Sequence, residues 1–371
     1  MLLNNPFLTP APSMEKLEDR PFTVAKDLGD PAEDGLVYLD AADCPVLALT
    51  GIDAPKQNCG EYYRLDASKK ETYSDYNRSL AECTPGVMLR FITDATSFTM
   101  DVKLRGAIAG MNHFTNRGVY GFDMLIGTGT ARKYIGKQMQ TFVYTTECMK
   151  DSLEMPAGLK EIQINFPLYG GVKSVLLGFA PDAKIALPTK RAHKPVAFYG
   201  SSITQGGCVS RPGNSYCNIV CRELDADCRN LGFSGSALGE QSVAEYIGSL
   251  DLGAFVMDYD YNARSEEELA STHYPFYETV RRLNPDLPIL MMTHVFSFDD
   301  RESDANRVKI IRESYEKAIA NGDKNVRFLD GTPLFRGPVR DLCTVDALHP
   351  NDLGQYIMAC HVYKHIVDRV R

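Results

Sequence analysis

The sequence has no long apolar run. No segment approaches the ~18 consecutive apolar residues of a membrane-spanning helix. The N-terminal stretch has neither the basic start nor the sustained apolar core of a signal peptide. We therefore expect neither a membrane protein nor a membrane partner. A cytoplasmic location is the expectation for the sequence as given, unless a leader has been removed.

Cysteine pairing motifs are missing as well. Ten cysteines are scattered over 371 residues, but no CxxC pair and no Cys/His cluster with zinc-like spacing occurs. Cys217 and Cys221 lie at helical i, i+4 spacing within an apolar segment, which is typical of buried free thiols in a reducing compartment. The sequence therefore predicts no disulfide framework and no structural metal.

An excess of positive charge is also absent. Asp and Glu number 48 against 40 Lys and Arg, so the formal net charge is -8. Because phosphate binding depends on clustered Lys and Arg, nucleic acid is not expected as a main partner. The one basic cluster, TKRAHK at 189–194, lies beside prolines and predicts a solvated linker.

The remaining composition, 44% hydrophobic and 24% charged residues, is that of a globular protein long enough for two domains. In the N-terminal half, apolar and polar residues alternate over short runs such as SFTMDVKL at 97–104 and EIQINF at 161–166. Such alternation is typical of half-buried strands. We predict an antiparallel, jelly-roll-like β-sandwich over residues 31–182, preceded by an N-terminal arm over 1–30.

The pattern changes after Pro195, where apolar strand-like runs begin to alternate with helical patterns. The strand-like runs are PVAFYG, DCRNLGF, GAFVMDY, LPILMMTHV and VRFLDG, and the helical patterns lie near 213–224, 265–283, 303–321 and 352–369. Buried strands separated by helices predict a three-layer α/β/α domain with a parallel sheet. This domain is expected over residues 196–371, joined to the sandwich by a linker over 183–195.

Two adjacent serines follow the first of these strands. Ser201 and Ser202 stand in GSSIT at 200–204, at the sheet edge where parallel α/β proteins bind ligands. A nucleophilic serine needs a base that takes its proton. Asp346 and His349 can lie on one side of a turn, so that the carboxylate receives Nδ1–H and Nε2 faces a serine.

Four segments at successive strand ends resemble the sequence blocks of the SGNH hydrolases, the GDSL-like esterases and acylhydrolases. They are GSSIT at 200–204, NLGFSG at 230–235, DYDYNA at 258–263 and DALHP at 346–350. The resemblance covers the C-terminal half and implies a flavodoxin-like serine esterase that uses no metal or organic cofactor. It implies Ser202 as nucleophile, His349 as general base, Asp346 as its partner, and an oxyanion hole made by the backbone N–H groups of Ser202 and Gly235 and the amide of Asn262.

The third block departs from the usual Gly-x-Asn-Asp. It reads Asp-Tyr-Asn-Ala over 260–263, which places a carboxylate and an aromatic ring close to the acyl pocket. Asp260 and Tyr261 are therefore candidate substrate-binding residues, and so is Ser201, which stands where the family usually has Asp. His294 ends the fourth strand at the same edge. Because no carboxylate lies at DxxH-like spacing to orient it, we expect His294 to be a pocket residue and not the base.

Each of these residues also has a purely structural interpretation. Ser202 and Asp346 can cap helices, whereas Gly235 and Asn262 can shape turns. The GxSxG signature of α/β-hydrolases is absent, because the nearest string, GFSGS, has Ser236 where a glycine is required. The functional interpretation therefore depends on the four segments as an ordered set.

The N-terminal stretch GFDML at 121–125 resembles the GxDLY-like stretch of an accessory domain that precedes some SGNH hydrolases. The resemblance implies hydrolysis of short-chain acyl esters, with an acetylated oligosaccharide or another small-molecule ester as substrate. A lysophospholipase or a platelet-activating-factor-acetylhydrolase-like lipid esterase is the alternative. A carbohydrate-binding protein with a silent hydrolase domain is the alternative of another class. Homo-oligomerisation and the role of the sandwich stay open.

Overall fold

Three β-sheets organise the computed structural model, which describes residues 17–106, 112–139, 148–295 and 302–370. The strands are β1 Thr23–Val24, β2 Val37–Asp40, β3 Ala48–Thr50, β4 Met88–Thr93, β5 Ser97–Leu104, β6 Phe122–Ile126, β7 Lys133–Met139, β8 Cys148–Glu154, β9 Lys160–Asn165, β10 Val172–Phe179, β11 Lys184–Ala186, β12 Val196–Gly200, β13 Cys228–Gly232, β14 Ala254–Asp258, β15 Ile289–Met292 and β16 Val326–Leu329. The α-helices are α1 Asp75–Leu80, α2 Asn116–Tyr120, α3 Ser202–Gln205, α4 Tyr216–Leu224, α5 Gln241–Ser249, α6 Glu266–Leu283, α7 Glu302–Ala320 and α8 Asp352–Ile366.

The first two sheets form the predicted antiparallel sandwich. One has the order β1-β11-β4-β9-β6-β7, with β3 also paired to β4, and the other has the order β2-β10-β5-β8. Phe91 of β4 contacts Phe98 of β5 and Phe179 of β10 across the sheets, with ring centroids 5.8 and 5.7 Å apart. The alternating apolar residues therefore meet in a core between the two sheets, as the period of two requires.

The edge of the sandwich uses residues outside the range predicted for it. Strand β1 falls in the expected N-terminal arm and β11 falls in the expected linker, yet the two strands pair with each other and β11 also pairs with β4. Both strands are only two or three residues long, too short to show alternation in the sequence. Their pairing depends on a partner far away in the chain.

The third sheet is parallel and has the order β13-β12-β14-β15-β16. Its five strands are those that the apolar runs predicted, and this order is flavodoxin-like. Alternate residues of β12 belong to different cores: Ala197 and Tyr199 lie in the apolar core that includes Phe276 of α6, whereas Val196 and Phe198 lie in the core that includes Met358 of α8. Helices thus cover both faces, which confirms the three-layer α/β/α fold.

The sequence pattern did not predict helix α5. It is nine residues long, and Glu240 at its N-terminus makes no side-chain capping hydrogen bond, so the usual start signal is missing. Among the residues that the structure describes, no helix is long and apolar enough to cross a membrane.

A buried network of charges joins the sandwich to the α/β domain. Arg132 donates to Glu161 Oε1 of β9 at 2.9 Å and to Asp225 Oδ1, at the end of α4, at 2.7 Å. Arg90 of β4 donates to the same Glu161 oxygen at 2.7 Å. Burial raises the pKa of Glu161, but the two guanidinium groups lower it more, and the net pKa lies below its ordinary value. Glu161 is therefore a buried anion that its arginine partners hold ionised.

Part of the basic cluster at 189–194 belongs to this network, so the expectation of a solvated linker is wrong for Thr189 and Arg191, whereas Lys190 and Lys194 are exposed. Arg191 is buried, and it donates to Asp225 Oδ1 at 3.1 Å and to Asp227 Oδ1 at 2.8 Å. Thr189 is also buried and donates through its backbone N–H and its hydroxyl to Glu161 Oε2. The sequence shows the positive charge but not the acidic partners, which come from distant segments.

Glu161→Gln is expected to lower the free energy of unfolding by about 3 to 5 kcal/mol, because it removes the counter-charge of buried guanidinium groups. Urea unfolding at neutral pH measures the loss. Glu154→Gln, which changes an exposed carboxylate on β8, is the matched control and should shift the free energy by less than about 0.5 kcal/mol. Equally small effects of both substitutions would contradict a stabilising role for the network.

Candidate active site

The carboxyl ends of three parallel strands form the base of the site. Gly200, the last residue of β12, pairs in register with Gly232 of β13 and Asp258 of β14. A Cβ at Gly200 would lie 2.1 Å from the Asp258 carbonyl oxygen, and one at Gly232 would lie 2.2 Å from the Gln205 nitrogen of α3. Glycine at both positions therefore lets α3 begin directly against the sheet edge.

Ser202, His349 and Asp346 meet above this edge. Ser202 Oγ lies 2.9 Å from His349 Nε2, and His349 Nδ1 lies 2.7 Å from Asp346 Oδ2. The second carboxylate oxygen, Oδ1, accepts the backbone N–H groups of His349 at 2.7 Å and Leu348 at 3.1 Å. The arrangement can pass a proton from the serine to the imidazole while the carboxylate fixes the tautomer.

A tight turn between Asp346 and His349 makes this contact geometrically feasible. Ala347 has a φ of 65°, in the left-handed region that non-glycine residues rarely adopt, and Val345 N–H donates to the His349 carbonyl at 3.0 Å. Such local strain is common at functional sites. Burial raises the pKa of Asp346, but hydrogen bonds from His349 and Leu348 lower it more, so the net pKa lies below its ordinary value.

Gly235 and Asn262 lie on the loops that follow β13 and β14. Gly235 has a φ of 71°, and a Cβ there would face open space, so the backbone borders an accessible volume. The Asn262 amide donates one hydrogen to the Phe233 carbonyl at 3.1 Å, which fixes its orientation and leaves its second N–H hydrogen for another acceptor. Gln205 accepts the Ser234 N–H at 3.0 Å and anchors the Gly235 loop to α3. The loop that carries Gly235 is thus linked by hydrogen bonds to both Asn262 and α3.

The sandwich contributes side chains to the same site, which the sequence analysis did not foresee. The ring centroids of His113 and Phe114 lie 5.1 and 5.9 Å from that of His349. Tyr169 donates its hydroxyl to the Ser202 carbonyl at 3.4 Å, and its ring lies 4.8 Å from Phe114. The contact is long-range and involves a loop without periodicity, so no sequence signal indicates it.

Two known sequence families match the chain. The GDSL-like lipase/acylhydrolase family matches residues 193–368, and the N-terminus of SGNH-hydrolase-type esterases matches residues 36–185. The α/β domain therefore belongs to the GDSL-like lipase and acylhydrolase family. The protein is an esterase of the SGNH type, and its sandwich matches the N-terminus of such esterases.

Solved structures share the fold of this esterase over most of its length. A candidate GDSL-like lipase from Bacteroides ovatus ATCC 8483 is 26% identical, with a TM-score of 0.79, and the match covers 91% of this chain and 99% of that one. A salicylyl-acyltransferase from a tetracycline biosynthetic pathway is 16% identical, with a TM-score of 0.75 and coverage of 92% and 100%. A family two carbohydrate esterase from Cellvibrio japonicus is 14% identical, with a TM-score of 0.58 and coverage of 90% and 97%. No curated protein matches the chain.

Ser201 has a different environment from Ser202 in the esterase. Its hydroxyl oxygen accepts the Ile203 N–H at 3.1 Å and caps α3, and its side chain is buried. Ser202, one residue further, is partly exposed. The structure thus shows that Ser201 caps α3, and its role as a substrate-binding residue stays a prediction.

Two of the three other candidate pocket residues, Asp260 and His294, form a buried pair. His294 Nδ1 lies 2.6 Å from Asp260 Oδ2, which also accepts the His294 backbone N–H at 3.0 Å. Burial opposes ionisation of both groups, yet their attraction outweighs it, so the pKa of Asp260 is lowered and that of His294 is raised. The expectation that no carboxylate orients His294 is therefore wrong: Asp260 comes from the neighbouring strand end, not from DxxH spacing. The Tyr261 ring lies against His294, with centroids 4.8 Å apart.

Asp258 contacts α3 and is a second buried carboxyl group. It accepts hydrogen bonds from Tyr216 at 2.9 Å and from Thr204 of α3 at 3.1 Å. Burial, together with the nearby charge of Asp260, raises the pKa of Asp258 to about 8. The group is thus protonated at neutral pH in the folded esterase and ionised in the unfolded chain.

Asp258→Asn is expected to change the pH dependence of stability. Because the folded pKa lies above the unfolded one, the wild-type protein loses stability as pH rises from about 4 to about 8, by up to ~1.4 kcal/mol per pH unit. The neutral amide removes this loss, so the variant should gain stability relative to wild type over that range, as urea titrations at several pH values would show. A difference that does not vary with pH, as expected for the exposed control Asp286→Asn, would contradict the buried neutral carboxyl.

Proposed function

We propose that the protein hydrolyses short-chain acyl esters, acetyl esters of a carbohydrate above all, through an acyl-enzyme on Ser202. The observation that carries the proposal is the chain of contacts from Ser202 Oγ to His349 at 2.9 Å and from His349 to Asp346 at 2.7 Å. A nucleophilic serine needs a hydrogen-bonded imidazole as its base, whereas a serine that only caps a helix does not.

The proposed reaction has two stages. Ser202 Oγ attacks the ester carbonyl carbon while His349 Nε2 takes the hydroxyl proton, and the negative charge that develops on the carbonyl oxygen is stabilised by the N–H groups of Ser202 and Gly235 and the amide of Asn262. His349 then gives its proton to the leaving alcohol, which leaves an acyl-enzyme. In the second stage His349 removes a proton from water, which attacks the acyl carbon. The bond from that carbon to Ser202 Oγ then breaks, His349 returns the proton to Oγ, and the acid is released.

The carbohydrate alcohol is supported by the two-domain architecture. The structural match to the family two carbohydrate esterase from Cellvibrio japonicus covers 90% of this chain and therefore includes the sandwich. The His113 and Phe114 rings bring the sandwich to the rim of the proposed catalytic site, where the alcohol part of an ester would leave. A substrate too large for the cleft between the strand-end loops could contact both domains there.

A cytoplasmic location is part of the proposal. All ten cysteines of the chain fall within the described residues, and each is a free thiol. Free thiols persist where glutathione and thioredoxin keep them reduced. The substrate would then be an ester present inside the cell.

A lipid ester is the second candidate substrate, and one observation favours it. Leu342, Val345 and Leu348 expose 61%, 48% and 40% of their surface on the segment that carries Asp346 and His349. Exposed apolar side chains clustered beside a site can receive an apolar ligand. Acyl chain length therefore distinguishes the two candidate substrates.

Ser202→Ala should abolish ester hydrolysis and labelling by a fluorophosphonate probe, since it removes the proposed nucleophile. Ser201→Ala is the matched control: it removes a helix cap, at a cost of about 1 kcal/mol in stability, and should retain a substantial fraction of the activity. Mass mapping of the label to Ser201 would overturn the assignment. A folded wild-type protein that takes up no probe would instead favour the carbohydrate-binding alternative.

Activity on p-nitrophenyl esters should peak at acetyl or propionyl and fall steeply by octanoyl. An open apolar pocket gains ~0.8 kcal/mol for each methylene that it buries, so it would reward longer chains. The half-buried Tyr261 beside Asn262 is expected to limit the space for such a chain. Activity that rises steadily to octanoyl, and falls for long chains in Leu348→Ser, would place the lipid ester first.

A further inference from the structure

Three side chains with nitrogen or sulfur ligand atoms meet beside Ser202. One such atom from each of His113, Cys208 and His349 lies within 4.8 Å of the others. We propose that these residues form a Zn²⁺-binding site whose occupation reversibly inhibits the esterase. The site has no zinc-like spacing in the sequence, because His113 comes from the sandwich, Cys208 follows α3 and His349 precedes α8.

The chemistry of the ligands selects zinc. Zn²⁺ prefers four ligands in a tetrahedral arrangement and is bound in proteins by imidazole nitrogen and thiolate sulfur at about 2.0 to 2.3 Å. Two imidazoles and one thiolate whose atoms lie within 4.8 Å of one another can close around one such ion after small side-chain rotations. The fourth position would hold water or the Ser202 oxygen. Cys208 gives its thiol proton to solvent when it binds, as metal-ligating cysteines do.

Hydrogen bonds between the segments hold the three ligands near one another. Thr115, two residues after His113, donates its hydroxyl to the Val209 carbonyl at 2.9 Å. Ser210, two residues after Cys208, donates to Asp352 at the start of α8 through its backbone N–H at 2.8 Å and its hydroxyl at 2.6 Å. Neither link involves a ligand atom of the proposed site. A site assembled in advance lowers the ordering cost of binding.

The environment of His349 and the exposure of His113 also support a zinc site. A carboxylate on the far nitrogen of a metal-ligating imidazole is the usual outer partner, and Asp346 lies 2.7 Å from His349 Nδ1. His349 Nε2, which faces Ser202 at 2.9 Å, is then the nitrogen that binds the ion. His113 is exposed to solvent and Cys208 is buried, so an ion can enter from the His113 side. Zinc on Nε2 removes the base from Ser202.

The inhibition rests on the proposed function, because it acts through the loss of the proposed base. Ion binding is therefore measured first on Ser202→Ala, a protein that needs no activity. Titration with Co²⁺, a spectroscopic substitute for Zn²⁺, should show one tight site with a thiolate-to-cobalt charge-transfer band, and Zn²⁺ should displace the cobalt. Adding Cys208→Ser should abolish the band, and adding His113→Ala should weaken binding at least about tenfold.

Matched controls change residues of the same types elsewhere. Cys148→Ser replaces an exposed thiol and His361→Ala replaces a partly buried imidazole, and both should leave the cobalt titration unchanged. Cys208→Ala is a second variant, and thermal unfolding of each protein shows that it is folded. A charge-transfer band that persists in folded Cys208→Ser and Cys208→Ala would overturn the site.

Hydrolysis is measured next, on proteins that retain Ser202. Zn²⁺ should inhibit wild type at the concentration that fills the site, and EDTA should restore the rate. Each rate with zinc is divided by the rate of the same variant in EDTA, so that changes in basal activity do not enter. Cys208→Ser and His113→Ala should raise the inhibitory concentration at least about tenfold. Unchanged inhibition in both would overturn the proposal, whereas cobalt binding without any hydrolysis by wild type would refute the proposed function and leave the metal site standing.

Discussion

The register of β12 between β13 and β14 is the constraint on which the site depends. It places Gly200 beside Gly232 and Asp258, at a separation that leaves no room for a Cβ on either glycine. The backbone can therefore turn from β12 into α3 at once, and Ser202 comes to lie at the sheet edge. Gln205 of α3 then anchors the loop that carries Gly235. The positions of Ser202 and of the Gly235 loop therefore depend on buried backbone pairing.

The two domains share buried charges as well as apolar surface. The fully buried guanidinium of Arg64 donates to the carbonyls of Asn230 and Gly232 at 2.7 and 2.8 Å. These hydrogen bonds connect the sandwich to the end of β13. Asp123, in the segment that resembles GxDLY, accepts the Gly213 N–H at 2.9 Å from the other domain. Leaving such groups unpaired in the interior would cost several kcal/mol, so the interface specifies one arrangement. This arrangement of the two domains places two aromatic rings of the sandwich beside His349.

Electrostatics divides the acidic groups near the site into different states. Asp346, with its hydrogen bonds from a surface turn, stays ionised, whereas Asp258, buried next to another carboxyl, has its pKa raised to about 8. Asp260 is equally buried but ionised, because His294 supplies a positive charge at 2.6 Å. The local environment, and not the residue type, therefore decides which of these carboxyl groups is ionised and can accept a hydrogen bond from a histidine. The pair of Asp260 and His294 lies buried in the core of the domain, whereas Ser202 and His349 are partly exposed.

The sequence by itself determined the fold class and the five parallel strands, because periodicity is a local signal, and its short strand-end segments singled out Ser202, Asp346 and His349 as candidate site residues. Only the tertiary structure decided the contacts that join distant segments. These include the pairing of β1 with β11, the burial of Arg191, the Asp260 partner of His294 and the approach of His113 to His349. No spacing rule predicts them, since the two members of each pair come from different elements and meet only when the sheets pack. The local sequence pattern predicts the secondary-structure elements and the candidate site residues, and long-range packing decides which side chains contact one another.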